Sequence, residues 1–89
     1  MSKICLIAGV GPGTGTACAK KFSDNGYKII MLARNFDYIK NLEEEIPNSF
    51  AYKCDVSNMN EISSTCSKII NEVGNADIFI HNAVAGVAD

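Results

Sequence analysis

One histidine, one arginine and two prolines are all this 89-residue chain has of those types, and neither charge sign is in clear excess, with eight basic against ten acidic residues. A net charge of −2 argues against the clustered Lys/Arg footprint by which proteins hold nucleic acid. No apolar run approaches the roughly 20 residues that span a bilayer. Lys3, followed by a short apolar run and then by Gly and Pro, does not make a secretory leader pattern. Cys5, Cys18, Cys54 and Cys66 contain no C-x-x-C, and the lone His81 is too remote to complete a zinc set, so no metal site is expected. The cysteines are read as small buried hydrophobes in a reducing compartment, by default the cytoplasm. No linker, repeat or low-complexity tract divides the chain. One small domain is expected, marginal on size because a chain this short buries only roughly 60% of its unfolded surface.

Four apolar runs alternate with three helical stripes. "KICLIA" (residues 3–8) and "YKIIMLA" (residues 27–33) have the continuous character of strands buried on both faces. "FAYKCDV" (residues 50–56) alternates like a more exposed strand, and "ADIFIHNAV" (residues 76–84) is a fourth apolar run. Between them, Gly15, Cys18, Ala19 and Phe22 recur at helical spacing up to a stop at Gly26, and Ile39, Leu42 and Ile46 do so up to Pro47. A longer stripe of Met59, Ile62, Cys66, Ile69, Ile70 and Val73 follows a cap at Ser57 or Asn58 and ends at Gly74. The order βαβαβαβ with short connections predicts an α/β fold: a parallel sheet of about four strands with three helices on its two faces and right-handed crossovers.

The first connection, "GVGPGTG" (residues 9–15), carries four glycines at alternate positions between a strand and a helix. Such a turn offers unpaired N–H groups and the positive end of a helix dipole, with no side chains to hold an anion away. Two phosphate-binding patterns fail to fit. No Gly-Lys-Ser/Thr closes the loop, and G-x-G-x-x-G ends on Thr14 or Thr16 rather than on glycine.

The spacing Gly9-x-x-x-Gly13-x-Gly15 resembles that of the short-chain dehydrogenases/reductases, and three further stretches strengthen the resemblance. "LARN" (residues 32–35) ends the second strand, "CDV" (residues 54–56) follows the third, and "HNAV" (residues 81–84) is similar to the family's Asn-Asn-Ala-Gly after the fourth. The chain departs from the family's pattern at Ala8, Pro12, His81 and Val84. The resemblance implies that residues 1–89 form a partial NAD(P)-binding Rossmann domain, the first part of a doubly wound fold. It gives Gly9, Gly13 and Gly15 to the turn around a pyrophosphate, with the Thr14 amide as a donor. Asp55 would accept from the adenine amino group, Val56 would pack on the ring, and Asn82 with Ala83 would line the ribose.

In this family the end of the second strand discriminates between nicotinamide cofactors. A carboxylate there holds the 2′-hydroxyl of NAD and repels a 2′-phosphate. Here Ala33 takes that place, with Arg34 and Asn35 next, and a guanidinium grips phosphate bidentately, so NADP is expected over NAD. Carbonyl reduction in the family uses a serine and a Tyr-x-x-x-Lys pair. Tyr27, Tyr38 and Tyr52 are followed four residues later by Met31, Leu42 and Val56, so the pair is absent from these 89 residues and no catalytic residue is nominated. The implied function is the NADP-binding amino-terminal portion of a short-chain oxidoreductase, inactive alone, covering about the first third of a family member. The alternative is a non-catalytic nucleotide-binding or interaction module built on the same half-fold. The fourth strand, with Ile78, Phe79 and Ile80, is expected to lie on an open sheet edge and to drive self-association.

Overall fold

Four short apolar runs pair side by side as parallel strands in the computed structural model, which describes residues 3–10, 13–55 and 57–81. In chain order the elements are β1 (Ile4–Ala8), α1 (Thr14–Asp24), β2 (Lys28–Ala33), α2 (Phe36–Glu45), β3 (Ser49–Lys53), α3 (Met59–Glu72) and β4 (Ile78–His81). The sheet order is β3-β2-β1-β4. Register follows directly: Leu6 stands opposite Ile30 of β2 and Phe79 of β4, and Ile30 in turn stands opposite Phe50 of β3.

β1 is buried along all five residues because helices cover both sides of the sheet. Cys5 and Ile7 join Ile29, Met31 and Ala33 beneath α1 and α2, where Ala19, Ile39, Leu42 and Ile46 pack. On the opposite face Ile4, Leu6 and Ala8 join Ile30 and Leu32 beneath α3, which contributes Ile69. Alternate residues of one strand thus enter two separate cores, and this is why the run reads as uniformly apolar.

Helix ends follow local chemistry. α1 stops in a Schellman arrangement: the Tyr27 N–H donates to Phe22 O (3.1 Å) and the Gly26 N–H to Ser23 O (3.0 Å), with Gly26 at φ 88°. The accompanying apolar contact is present too, since the Phe22 and Tyr27 rings meet edge to face at 5.1 Å. Asn58, not Ser57, caps α3, its Oδ1 accepting from the N–H groups of Asn60 (3.0 Å) and Glu61 (3.1 Å).

Two details depart from the sequence pattern. β3 lies at Ser49–Lys53, one residue earlier at its start and three earlier at its end than the expected run, because the chain turns at Asp55 into a side-chain-stabilised bend. In α3 only Ile69 is fully buried, while Met59 and Ile70 are 76% and 51% exposed. Ile70 sits roughly 100° around the helix from Ile69 and faces away from the sheet. A single flat face cannot cover so broad an apolar stripe.

The two cysteines in strand or strand-end positions, Cys5 and Cys54, are buried, and Cys18 and Cys66 are half-buried, all four as free thiols. Burial pushes the Cys5 thiol up to about 11, and neighbouring Cys18 adds to the effect.

The Asn58 cap makes a direct prediction. Asn58→Ala orphans two amide donors and is expected to cost about 1 kcal/mol. The urea midpoint should fall with an unchanged denaturant slope. An unaltered midpoint would show that α3 is held by packing alone.

Candidate functional site

The carboxyl ends of all four strands lie along one side of the sheet, and the chain leaves β1 toward β2 on one side while β4 pairs on the other. Ligands of doubly wound sheets bind at that switch point. The turn leaving β1 is held by a single acceptor: the Leu32 carbonyl receives the N–H groups of both Gly9 (2.8 Å) and Val10 (3.0 Å). Gly9 takes φ 88°, a left-handed conformation that favours glycine, and so sends the chain back toward α1. Its amide serves the protein's own backbone, so Gly9 shapes the turn rather than donating outward.

Gly13 is the N-cap of α1, exposed, at φ 97°, and a Cβ there would point into open space with no heavy atom within 4 Å. Among the described residues no side chain caps α1, and no acidic residue stands in its first turn. The other helices differ. Asn35 caps α2 and Asp37 follows in its first turn, while Asn58 and Glu61 serve α3 in the same way. The positive end of α1, opening with Thr14 and the buried Gly15, therefore keeps a dipole that no carboxylate of its own first turn offsets.

Arg34 stands exposed one residue beyond β2, on the strand beside the glycine turn. It does not cap the following helix. That role falls to Asn35, whose Oδ1 accepts from the Tyr38 N–H (3.2 Å). Beyond β3, Asp55 forms a bend in which its Oδ1 accepts from the Ser57 N–H (3.0 Å) and the Ser57 hydroxyl (2.6 Å). Those two bonds, with a smaller contribution from the Arg34 guanidinium, hold the Asp55 carboxyl below its usual range. Arg34 and Asp55 thus share the same end of the sheet. Val56, Asn82 and Ala83 lie outside the described residues, as do Gly11, Pro12 and Val84.

Two features of this end had no sequence signal. The Thr16 and Tyr38 hydroxyls meet at 2.8 Å between α1 and α2. Tyr38 carries no motif, and Thr16 looked like another small residue in a glycine-rich stretch. The second feature is the Leu32 carbonyl, which is invisible in a side-chain pattern. Asp77, in contrast, behaves as an acceptor at a strand end should, its Oδ2 taking the Ile4 N–H at 2.8 Å.

The sheet order and the glycine turn define a Rossmann-like α/β fold. The family model for short chain dehydrogenases matches residues 3–88, and the chain belongs to that family. It is 37% identical over 83 residues to carbonyl reductase family member 4 of Xenopus laevis, a match covering 93% of this chain and 35% of that protein. Among solved structures it is similar to the NADPH-dependent reductase YwfH of bacilysin biosynthesis, with a TM-score of 0.87 and 24% identity over 99% of this chain and 37% of the other. It is also similar to a 3-ketoacyl-(acyl-carrier-protein) reductase from Brucella melitensis complexed with NADH, with a TM-score of 0.80 and 27% identity over 86% of this chain and 32% of the other. The chain spans about a third of the length of these relatives.

The Asp55 bend carries a pH signature. Because its pKa is lowered in the folded state, its stabilisation is complete above the unfolded value of roughly 3.9 and is lost as pH falls through the folded value. Ser57→Ala removes one of the two donors and should raise the carboxyl pKa toward the ordinary range, measured by NMR titration of the side-chain carbon. An unshifted titration would mean that the backbone N–H and Arg34 suffice.

Proposed function

We propose that this chain is the NADP-binding portion of a short-chain reductase that, in its full-length form, transfers hydride between NADP(H) and a carbonyl or alcohol substrate. The observation that carries this reading is the α1 amino terminus, with neither side-chain cap nor first-turn acid, beside a glycine turn and one strand away from Arg34. These residues fit a dinucleotide: an exposed glycine N-cap with clear space above it suits a diphosphate, and an exposed guanidinium suits a 2′-phosphate. Gly13, Thr14 and Gly15 would hold the diphosphate in a turn that Gly9 shapes, and Arg34 with Asn35 would hold the 2′-phosphate. Asp55 and Val56 would hold the adenine, and Asn82 and Ala83 the ribose. The bound nicotinamide would supply the hydride. Within these 89 residues no Tyr-x-x-x-Lys is present, and the chain by itself is proposed to bind without turning over. Relatives that bind NADPH and NADH both support a nicotinamide dinucleotide, and the preference for NADP rests on Arg34 following Ala33.

Calorimetric titration with NADPH should give a dissociation constant of about 1 mM or tighter, which needs only ~4 kcal/mol. Arg34→Ala should weaken NADPH by roughly tenfold or more and leave NADH nearly unchanged, as expected for loss of a charge-assisted bond. Equal losses for both cofactors would remove the 2′-phosphate assignment.

The edges of the sheet also suggest an association mode. The β3 edge is blocked, because the Glu43 carboxylate accepts the Ala51 N–H at 2.6 Å. Burial alone would raise the Glu43 pKa, but hydrogen bonds from Lys40 and Ala51 outweigh it and hold the carboxyl below its ordinary value, so the block persists at neutral pH. Among the described residues nothing pairs with the outer side of β4, where Phe79 is 60% exposed. The chain is proposed to self-associate through β4 in the cytoplasm, a compartment consistent with four free thiols. Sedimentation velocity should show a concentration-dependent dimer that Phe79→Lys weakens, whereas a monomer at high concentration would refute it.

A further inference from the structure

We propose that Tyr38 and Thr16 are positioning residues: their hydroxyl pair forms a brace that sets the spacing between the glycine turn and the Arg34 corner, for a ligand that spans both. The proposal rests on the cofactor reading above and adds the device by which the two subsites act together.

The observations form one connected path. Thr16 is the third residue of α1 and Tyr38 the third residue of α2, and each helix starts directly at one of the two subsites. The Thr16 Oγ1 and Tyr38 OH lie 2.8 Å apart on half-buried residues that link the helices near the ligand end. Tyr38 is tied at its other end as well. Its backbone N–H donates to the Oδ1 of Asn35, the residue adjoining Arg34 (3.2 Å). A continuous series of covalent and hydrogen bonds therefore runs from Arg34 through Asn35 and Tyr38 to Thr16, three residues past the Gly13 cap. At the opposite ends of the same helices a separate bond, from the Ser23 hydroxyl to Pro47 O at 3.1 Å, holds the pair together. The α1–α2 pair thus has an independent tie at its far end, and the Thr16–Tyr38 bond links the two helices at the ligand end.

A dinucleotide phosphate gains affinity by engaging two anion sites at once, and that gain depends on the sites standing at the separation the ligand spans. Loosening the brace should leave each site's own chemistry intact and weaken only the ligand that bridges them. A residue with a merely structural role would instead weaken every ligand together.

Binding of three probes by calorimetry separates these cases: NADPH, which spans both sites, 2′-AMP, which reports the Arg34 corner, and inorganic pyrophosphate, which reports the glycine turn. Tyr38→Phe and Thr16→Val each delete one hydroxyl with little change of shape. Either should weaken NADPH roughly three- to tenfold, the effect of one neutral hydrogen bond, while 2′-AMP and pyrophosphate stay within about twofold of the parent chain. The double variant should lose no more than Thr16→Val alone, and Thr16→Ser, which keeps a hydroxyl, should retain NADPH binding. Unchanged NADPH affinity in Tyr38→Phe, or a parallel loss of all three probes with a lowered melting temperature, would overturn the brace. Failure of the unsubstituted chain to bind NADPH would overturn the cofactor reading and the brace with it, and is recognised before any variant is made.

Discussion

A single main-chain oxygen organises the functional end of this molecule. The Leu32 carbonyl, near the end of β2, accepts the N–H groups of both Gly9 and Val10 as the chain leaves β1. The ordinary strand ladder is thereby closed at the point where the chain has to reverse toward α1. Gly9 meets the positive φ this requires, and Gly13 meets a second one at the helix start. Both glycines serve the path of the backbone. The N–H groups of Gly9 and Val10 are thus consumed by the protein's own backbone.

Electrostatics at that end follow from which helices are capped. Asn35 and Asn58 satisfy the first amides of α2 and α3, and acidic residues in their first turns offset the dipoles further. Among the described residues α1 has neither. Two of the three helix starts are thus neutralised by their own side chains, and the third opens one strand away from the Arg34 cation. Asp55, held ionised by Ser57, places a hydrogen-bond acceptor on the same side. Positive and acceptor groups are separated along three successive strand exits, an arrangement suited to an extended ligand with a phosphate-rich middle and a base at one end.

The rest of the sheet shows how unevenly the two faces and edges are finished. α1 and α2 cover one face, and α3 alone packs on the other among the described residues. Met59, Ile70 and Phe79 remain exposed. The β3 edge is closed by Glu43 and flanked by charge, including the Tyr52 hydroxyl donating to Glu72 at 2.7 Å, and burial together with that carboxylate pushes the Tyr52 phenol up to about 12. Among the described residues the β4 edge has no such guard. This asymmetry belongs to a fold whose relatives continue for roughly twice as many residues again.

Much of the architecture was legible because strands buried on both faces and helices with one apolar stripe leave periodic marks that need no partner to be recognised. The four apolar runs, the three stripes, the stops at Gly26 and Pro47 and a cap at Ser57 or Asn58, which proves to be Asn58, all correspond to elements present. Gly9 and Gly13 mark a tight strand-to-helix turn by local backbone chemistry alone, and both take positive φ. Exposure was harder to foresee: Ile70 and Met59 are as apolar as Ile69, and only their positions on α3 relative to the sheet separate them. Likewise, that Tyr38 would reach Thr16, 22 residues away in sequence, depends on the distance between two helices. The sequence by itself therefore determined what is local, namely element type, turn geometry and the charge at each strand exit. Tertiary structure alone decided which of those groups meet, because contacts between elements are set by packing distances that no residue carries within its own neighbourhood.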